Sequence, residues 1–490
     1  MKYILSVDQS TQGTKGLLFD ENGILIARAD APHDQLVNDQ GWVEHDPEEI
    51  LQNVYAVCRS VTEKAGIYKA DIQAMGISNQ RETVLCWDAV TGKPLYNAIV
   101  WQCARAKELC ALLEKHADLV KERTGLNLSP YFSAAKIAWM LENVPAVAAA
   151  ARENRLCCGT IDSWLVFSMT KDRSFETDYS NASRTQLLNL DTLKWDEEIC
   201  RIFGIPLSAL PEVCMSDSCF GHTDLDSFLE TPIPICGVLG DSHGALLGQG
   251  CFAPGQVKAT YGTGSSVMMQ TGTNRIRSKD LVTSLAWGLG GVVEYVLEGN
   301  LNYTGATISW LKDDVKLISD PGETEALAFE ANPADRCCLV PAFSGLGAPY
   351  WDSEAAAILT GMTRTTGKAE IVKAALDSIG QQITDLLERM AKDSGLPLKE
   401  LRVDGGPTAN RYLMQLQSDI AGCDLRVPQL QELSGMGAAY AAGFSVGLYD
   451  RETVYKHITY TAYTPMADEA WRQQKRSQWH AAVKQAMTHE

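Results

Sequence analysis

Two short apolar runs, residues 3–7 and 16–19, flank a polar stretch of small side chains at 8–15. That pattern predicts strand, loop, strand. The design returns at residues 256–271, where an apolar-leaning run meets a Gly/Thr/Ser loop at 262–266 and a second run at 267–269 follows. One such hairpin in each half points to a duplicated fold. Between them the period changes. Asp46-Pro47-Glu48-Glu49 reads as a helix start, with Asp as cap, Pro in the first turn and acids at the positive end of the dipole. Ile50, Val54, Val57 and Val61 then recur at helical spacing, and Gly66 ends the helix.

Apolar runs at 72–78, 83–87 and 98–101 predict strands, and 104–116 and 134–143 predict helices. Residues 157–169 combine a short strand with a helix that begins near Ile161. The polar segment 177–183 reads as a loop. Residues 233–237 form a buried-strand pattern leading to Gly240-Asp241-Ser242-His243-Gly244 and a run of small residues. Further on, strands are expected at 292–297, 338–341 and 401–404, and a long amphipathic helix at 371–390. Asn410 heads a helix, and a helix rich in Ala and Gly at 435–447 suits close packing on a sheet.

At 490 residues the chain is long enough for two or three domains. A formal charge of −18 argues against nucleic acid, which needs Lys and Arg to neutralise phosphates. No stretch approaches the ~20 apolar residues of a membrane span, and no signal peptide is expected, since the first apolar run ends at Asp8. The 14 cysteines show no C-x-x-C and no zinc spacing, which suits buried thiols in a reducing compartment. The expected location is the cytoplasm.

The first loop carries a carboxylate, hydroxyls, amides, a glycine and a lysine. Thr11, Gln12, Gly13 and Lys15 can turn N–H groups and a cation toward a phosphate, and Asp8 can hold a divalent metal. The loop can equally be a polar hairpin turn. Asn79-Gln80-Arg81-Glu82 ends an apolar strand, where polar groups face either a crevice or solvent. Tyr131-Phe132 at a helix start reads as core packing or ligand contact. Asp241, between an apolar strand and a helix of small residues, is placed for a catalytic base or for an N-cap. Backbone can approach a ligand closely at Gly405-Gly406.

The chain resembles the FGGY carbohydrate kinase family along nearly its whole length, and the glycerol kinases within it most closely. YFSAAKIAWMLEN (131–143) and AILTGMTRTTGKAEIVKAALD (357–377) are similar to the family's two signatures. GWVEHDP (41–47), NQRET (79–83), YNAIVWQC (96–103), TDYSNASRT (177–185), FSGLGAPYWD (343–352) and RVDGG (402–406) carry the glycerol-kinase character. The resemblance implies an α/β fold of two ribonuclease-H-like, actin-like ATPase domains with a deep cleft, here expected at 1–247 and 248–490. It implies ATP and Mg²⁺ as cofactors and a small polyol or sugar as acceptor. By the same resemblance Asp241 is the general base, and Asp8 and Asp241 hold the metal. Arg81, Glu82, Trp101 and Tyr131 line the polyol pocket. Thr263 and Gly264 meet phosphates, and Gly406 and Asn410 the adenosine end. A homodimer and a homotetramer both remain open.

Departures from the glycerol-kinase pattern concern the pocket and the first loop. Ser242 stands where Gln is usual, and Ser266 where an aromatic is usual. Gln12 and Lys15 replace Thr and Arg in DQSTQGTK. Residues 226–235 lack a Gly-Gly-Arg insert that some bacterial members use for control by sugar bisphosphates. The reading is an ATP-dependent kinase for glycerol or a four- to five-carbon polyol or ketose. Its competitors are a ketose kinase of the xylulokinase type and a non-catalytic actin-like ATP-binding sensor.

Overall fold

The computed structural model describes residues 1–488. Tyr3–Gln9, Gly13–Phe19 and Leu25–Pro32 form an antiparallel meander, and Ile72–Asn79 and Ile233–Gly240 join parallel on the other side of the first strand. The first strand is buried along its whole length, as expected for the centre of a sheet covered on both faces. The ladder runs beyond the expected 3–7. Asp8 and Lys15, assigned to a loop by their polarity, are cross-strand partners, because the turn occupies only residues 10–12.

The second sheet repeats this connectivity. Val292–Leu301, Ser265–Gly272, Gln256–Tyr261, Glu400–Asp404 and Leu425–Pro428 stand in the same relative order with the same strand directions. Val282–Leu289 and Tyr460–Tyr463 are added at the two edges.

Two helices of small residues, Asp241–Gly248 and Leu433–Ser445, lie between the sheets. Ile4, Leu17 and Phe19 of one sheet and Met268, Trp287 and Val296 of the other share a core with them. The helices touch through backbone: a Cβ on Gly437 would lie 1.9 Å from the Gly244 carbonyl oxygen. Side-chain-free contact at this crossing is the reason for the Ala/Gly composition.

The helix Pro47–Ala65 keeps its expected ends. Asp46 Oδ1 accepts from the Glu48 N–H at 2.9 Å, Gly66 adopts φ 65°, and Ile50, Val54, Val57 and Val61 are buried. The segment 177–183 differs from the expected loop. It holds a short strand, Glu176–Asp178, and a helical turn, Tyr179–Ala182, because buried Asp178 accepts from the N–H groups of Ser180 and Asn181. Its polarity serves an internal network. All fourteen cysteines are free thiols, and no described helix is long and apolar enough to cross a membrane.

Candidate active site

A cleft of about 920 Å³ opens at the carboxyl ends of parallel strands from both sheets. Asp241 and Ser242 follow Ile233–Gly240, and Gly405 and Gly406 follow Glu400–Asp404. Asp8 and Lys15 from the first hairpin, Lys258 and Thr260 from the second, Asp404, Arg411 and Glu432 complete the polar wall.

Asp8 Oδ1 accepts from Ser78 Oγ at 3.0 Å, and Lys15 Nζ lies 3.6 Å from Oδ2. Burial pushes the Asp8 carboxyl up to about 6, with Lys15 opposing. Lys15 also donates to Glu432 Oε2 at 2.7 Å, tying the first hairpin to the start of the helix Leu433–Ser445. Asp241 is the first residue of its helix, whose cap is Gly240, so capping does not explain it. Its side chain is 37% exposed, and Arg81 Nε lies 3.1 Å from Oδ1.

Residues 79–82 are buried, so the solvated-turn reading fails. Arg81 grips Glu298 of the second sheet through two hydrogen bonds, 3.0 and 3.1 Å. Arg184 bridges Glu298, 2.8 Å, to Glu82, 2.5 Å. Burial alone would raise the Glu298 carboxyl, yet Arg184 and Arg81 hold it well below the usual carboxylate range. Charges of alternating sign thus run from Glu82 through Arg184, Glu298 and Arg81 to Asp241. Trp101 Nε1 donates to Thr11 Oγ1 at 2.9 Å, and its ring meets Tyr131 edge-on with centroids 5.5 Å apart. Lys136 Nζ donates to the carbonyls of Pro130, Tyr131 and Phe132, fixing the turn that presents Tyr131. Phe132 of the aromatic pair is buried, while Tyr131 stays partly open.

The remaining expected residues divide between the cleft and its surroundings. Thr11 contacts Trp101, and Gln12 is exposed at the turn. Gly13 has a packing reason, since a Cβ there would lie 2.8 Å from the Ala31 carbonyl oxygen. Thr263 is exposed at the tip of the second hairpin. A Cβ on Gly264 would lie 2.2 Å from the Leu301 carbonyl oxygen. The tip is held by Gly305, whose N–H donates to the Gly262 carbonyl at 2.9 Å. Gly305 lines a second cavity, about 640 Å³, with Ile308, Thr324, Phe329, Ile379 and Asn410. It meets the cleft at Gly406, where nothing lies within 4 Å of a Cβ position. Asn410 caps its helix through the Leu413 N–H and donates to Thr324 Oγ1 at 3.1 Å. Ser242 lines the cleft. Ser266 pairs in register with Thr260 and Asn300, and its hydroxyl is buried without a hydrogen-bond partner.

A family model for the N-terminal domain of the FGGY family of carbohydrate kinases matches residues 3–248, and one for the C-terminal domain matches 257–446. The chain belongs to the FGGY family of carbohydrate kinases. It is 46% identical to glycerol kinase 1 of Thermotoga maritima, over 99% of this chain and 100% of that protein. It is 44% identical to a glycerol kinase of Alkaliphilus oremlandii over 99% of this chain and 97% of the relative. The structure of Plasmodium falciparum glycerol kinase with ADP superposes with a TM-score of 0.94 at 36% identity, covering 100% of this chain and 99% of that one. A xylulose kinase of Lactobacillus acidophilus, 22% identical with a TM-score of 0.88 over 99% of this chain and 98% of that one, shares the fold. This FGGY kinase is an ATP-dependent phosphotransferase acting on an alcohol group.

Lys258 and Asp404 line the cleft of this kinase, and Glu298 and Arg184 are buried and tied to it through Arg81. The sequence assigns a role to none of the four, although Arg184 and Asp404 fall within TDYSNASRT and RVDGG. Their signal in the sequence is faint. Lys258 and Glu298 are single charges inside apolar strands, VKATY and YVLEGN. A charge in a buried strand needs a partner, and only the fold reveals which.

Proposed function

We propose that the kinase transfers the γ-phosphoryl group of ATP to a hydroxyl of a small polyol or sugar within the interdomain cleft, with Asp241 as general base. The observation that carries this reading is Asp241 itself. It is half open to the cleft, is not its helix's cap, and is oriented by an arginine that is itself locked by Glu298. A base must reach the hydroxyl whose proton it takes, and little covalent chemistry is needed beyond positioning and charge neutralisation.

In this reading residues 1–247 bind the acceptor through Arg81, Glu82, Trp101 and Tyr131, and residues 248–490 bind the nucleotide. The largely apolar cavity at Ile308, Phe329 and Asn410 suits the nucleoside, and the polar cleft suits the phosphates. Thr11, Gln12, Gly13 and Lys15 face the phosphates from one hairpin, Thr263 and Gly264 from the other, and Gly406 lies at the junction. Asp8 and Asp241 fit Mg²⁺, a hard cation held by one or two carboxylates together with phosphates. Asp8 is a carboxylate whose charge burial disfavours, which a bound cation would offset. The ion would supply charge neutralisation at the phosphates. ATP as donor and fourteen free thiols fit a reducing cytoplasm.

The acceptor is read from Ser242 and Ser266. The Ser266 hydroxyl is buried without a hydrogen bond, and in this reading a longer acceptor supplies one. A four- or five-carbon polyol or ketose can supply one from its extra hydroxyl, whereas glycerol leaves it unmade. The glycerol kinases among the relatives keep glycerol as the reference substrate. A screen of glycerol, tetritols, pentitols and ketoses for ADP release tests this. A four- or five-carbon acceptor is expected to give the highest kcat/KM, since sites built around a substrate hydroxyl discriminate by up to ~10⁴–10⁵. Glycerol best by about tenfold or more, a difference of ~1.4 kcal/mol, overturns the larger pocket and leaves the kinase reading intact.

A further inference from the structure

Lys258 lies on the face of the second sheet that looks into the cleft, yet its side chain is fully buried. Its strand neighbours Val257 and Ala259 belong to the second sheet's own core. The register places Lys258 beside Met268 and Met268 beside Glu298, so the ammonium shares a face with the carboxylate that grips Arg81. A buried ammonium is costly unless it is compensated. Here its hydrogen-bond partner is neutral: Nζ donates to Thr260 Oγ1 at 3.0 Å. Among the described residues no carboxylate oxygen lies within 4.0 Å of Nζ.

The other cations of the site are already engaged. Lys15 pairs with Asp8 and Glu432, Arg81 with Glu298 and Asp241, and Arg411 with Glu325. Lys258 therefore keeps the largest unmet demand for an anion. The groups that act on it are Asp404 on the neighbouring strand, Glu298 across the sheet, and Arg81 and Asp241 from the first half of the chain. Burial lowers its proton affinity, Arg81 adds to this, and the three carboxylates oppose it.

We propose that Lys258 is a catalytic residue whose ammonium contacts the transferring γ-phosphoryl group. The acceptor hydroxyl oxygen bonds to the γ-phosphorus, and the bond from that phosphorus to the β–γ bridging oxygen breaks. ADP leaves with the electron pair, and the hydroxyl proton passes to Asp241. Lys258 stays protonated throughout and offsets the charge on the equatorial oxygens. A preorganised charge in a water-poor site is the strongest single contributor to such steps. The proposal rests on the reading of Asp241 and the cleft as the reaction site, so Asp241→Asn is carried as a control.

The test compares full-length wild type, Lys258→Met and Lys258→Arg. Lys258→Met is expected to lower kcat by ~10²–10³, the usual effect of losing one such group. Its affinity for a non-hydrolysable ATP analogue, by calorimetry, should change less than about tenfold, because the contact forms mainly in the transition state. Wild-type kcat should fall at alkaline pH as the lysine, with its lowered proton affinity, loses its charge. Lys258→Arg should recover much of the activity and move that limb to higher pH, since a guanidinium stays charged. A Met variant within about threefold of wild type, beside an inactive Asp241→Asn, overturns the role of Lys258. If the Met variant fails to fold, an Arg variant with an unmoved alkaline limb does the same. A near-wild-type Asp241→Asn overturns the site reading and this proposal together.

Discussion

Asp241→Asn folds, binds nucleotide and loses about 10²–10⁴ in kcat, the range that a positioned general base contributes. The substitution is nearly isosteric. The amide oxygen can still accept from the Ser242 N–H, 2.6 Å from Oδ1 in the native protein, and from Arg81 Nε. Arg81 also keeps its paired hydrogen bonds to Glu298, so no buried charge is stranded. What disappears is the proton acceptor. Turnover is measured with saturating acceptor and ATP, and nucleotide affinity is measured separately. Near-wild-type kcat in the Asn variant contradicts the assignment of the base.

Arg184→Met carries the largest expected cost in stability. Arg184 is 1% exposed and joins Glu82 to Glu298, two carboxylates that are themselves buried. Removing the bridge strands Glu82 and leaves Glu298 with Arg81 and the Asn300 amide. Breaking a buried pair from one side typically costs ~3–5 kcal/mol. The pH dependence has a fixed sign. Arg184 and Arg81 hold the folded Glu298 carboxyl below its ordinary value of 4.5, so this contribution is fully present above 4.5 and is lost as pH falls. The difference between variant and wild type is therefore expected to be full at neutral pH and to shrink below about 4.5. Urea unfolding followed at both ends of that range measures it. A neutral-pH loss under about 1 kcal/mol would mean that the network is surface-like in strength. Because Glu82 lies in the proposed acceptor pocket, the KM for the acceptor should rise as well.

Local patterns that involve one element were legible in the sequence. The helix opening at Asp46-Pro47 and closing at Gly66 is set by chemistry within a few residues. The two hairpins were visible because apolar runs bracket small polar turns. Polarity alone did not decide where the partner is distant. Residues 79–82, open between crevice and solvent, and 177–183, expected as a loop, are largely buried because Arg81 finds Glu298 217 residues away and Asn79 finds Asn181 102 residues away. The Asp8–Lys15 stretch looks like a loop because its charges sit on a strand pair facing a cleft. Gly13 also has a reason that no local motif shows, since its absent side chain makes room for the neighbouring strand. Lys258 and Glu298 were hidden by apolar neighbours, since a strand's two faces serve different environments.

Phosphorus NMR of full-length enzyme with ATP, Mg²⁺ and the best acceptor from the screen tests the central claim most directly. The expected result is a new phosphomonoester signal of the acceptor that grows one for one with ADP, is absent without acceptor, and grows ~10²–10⁴ times more slowly in Asp241→Asn. ATP left unchanged, or converted only to ADP and inorganic phosphate, would contradict phosphoryl transfer in this cleft and favour a nucleotide-binding protein without kinase activity.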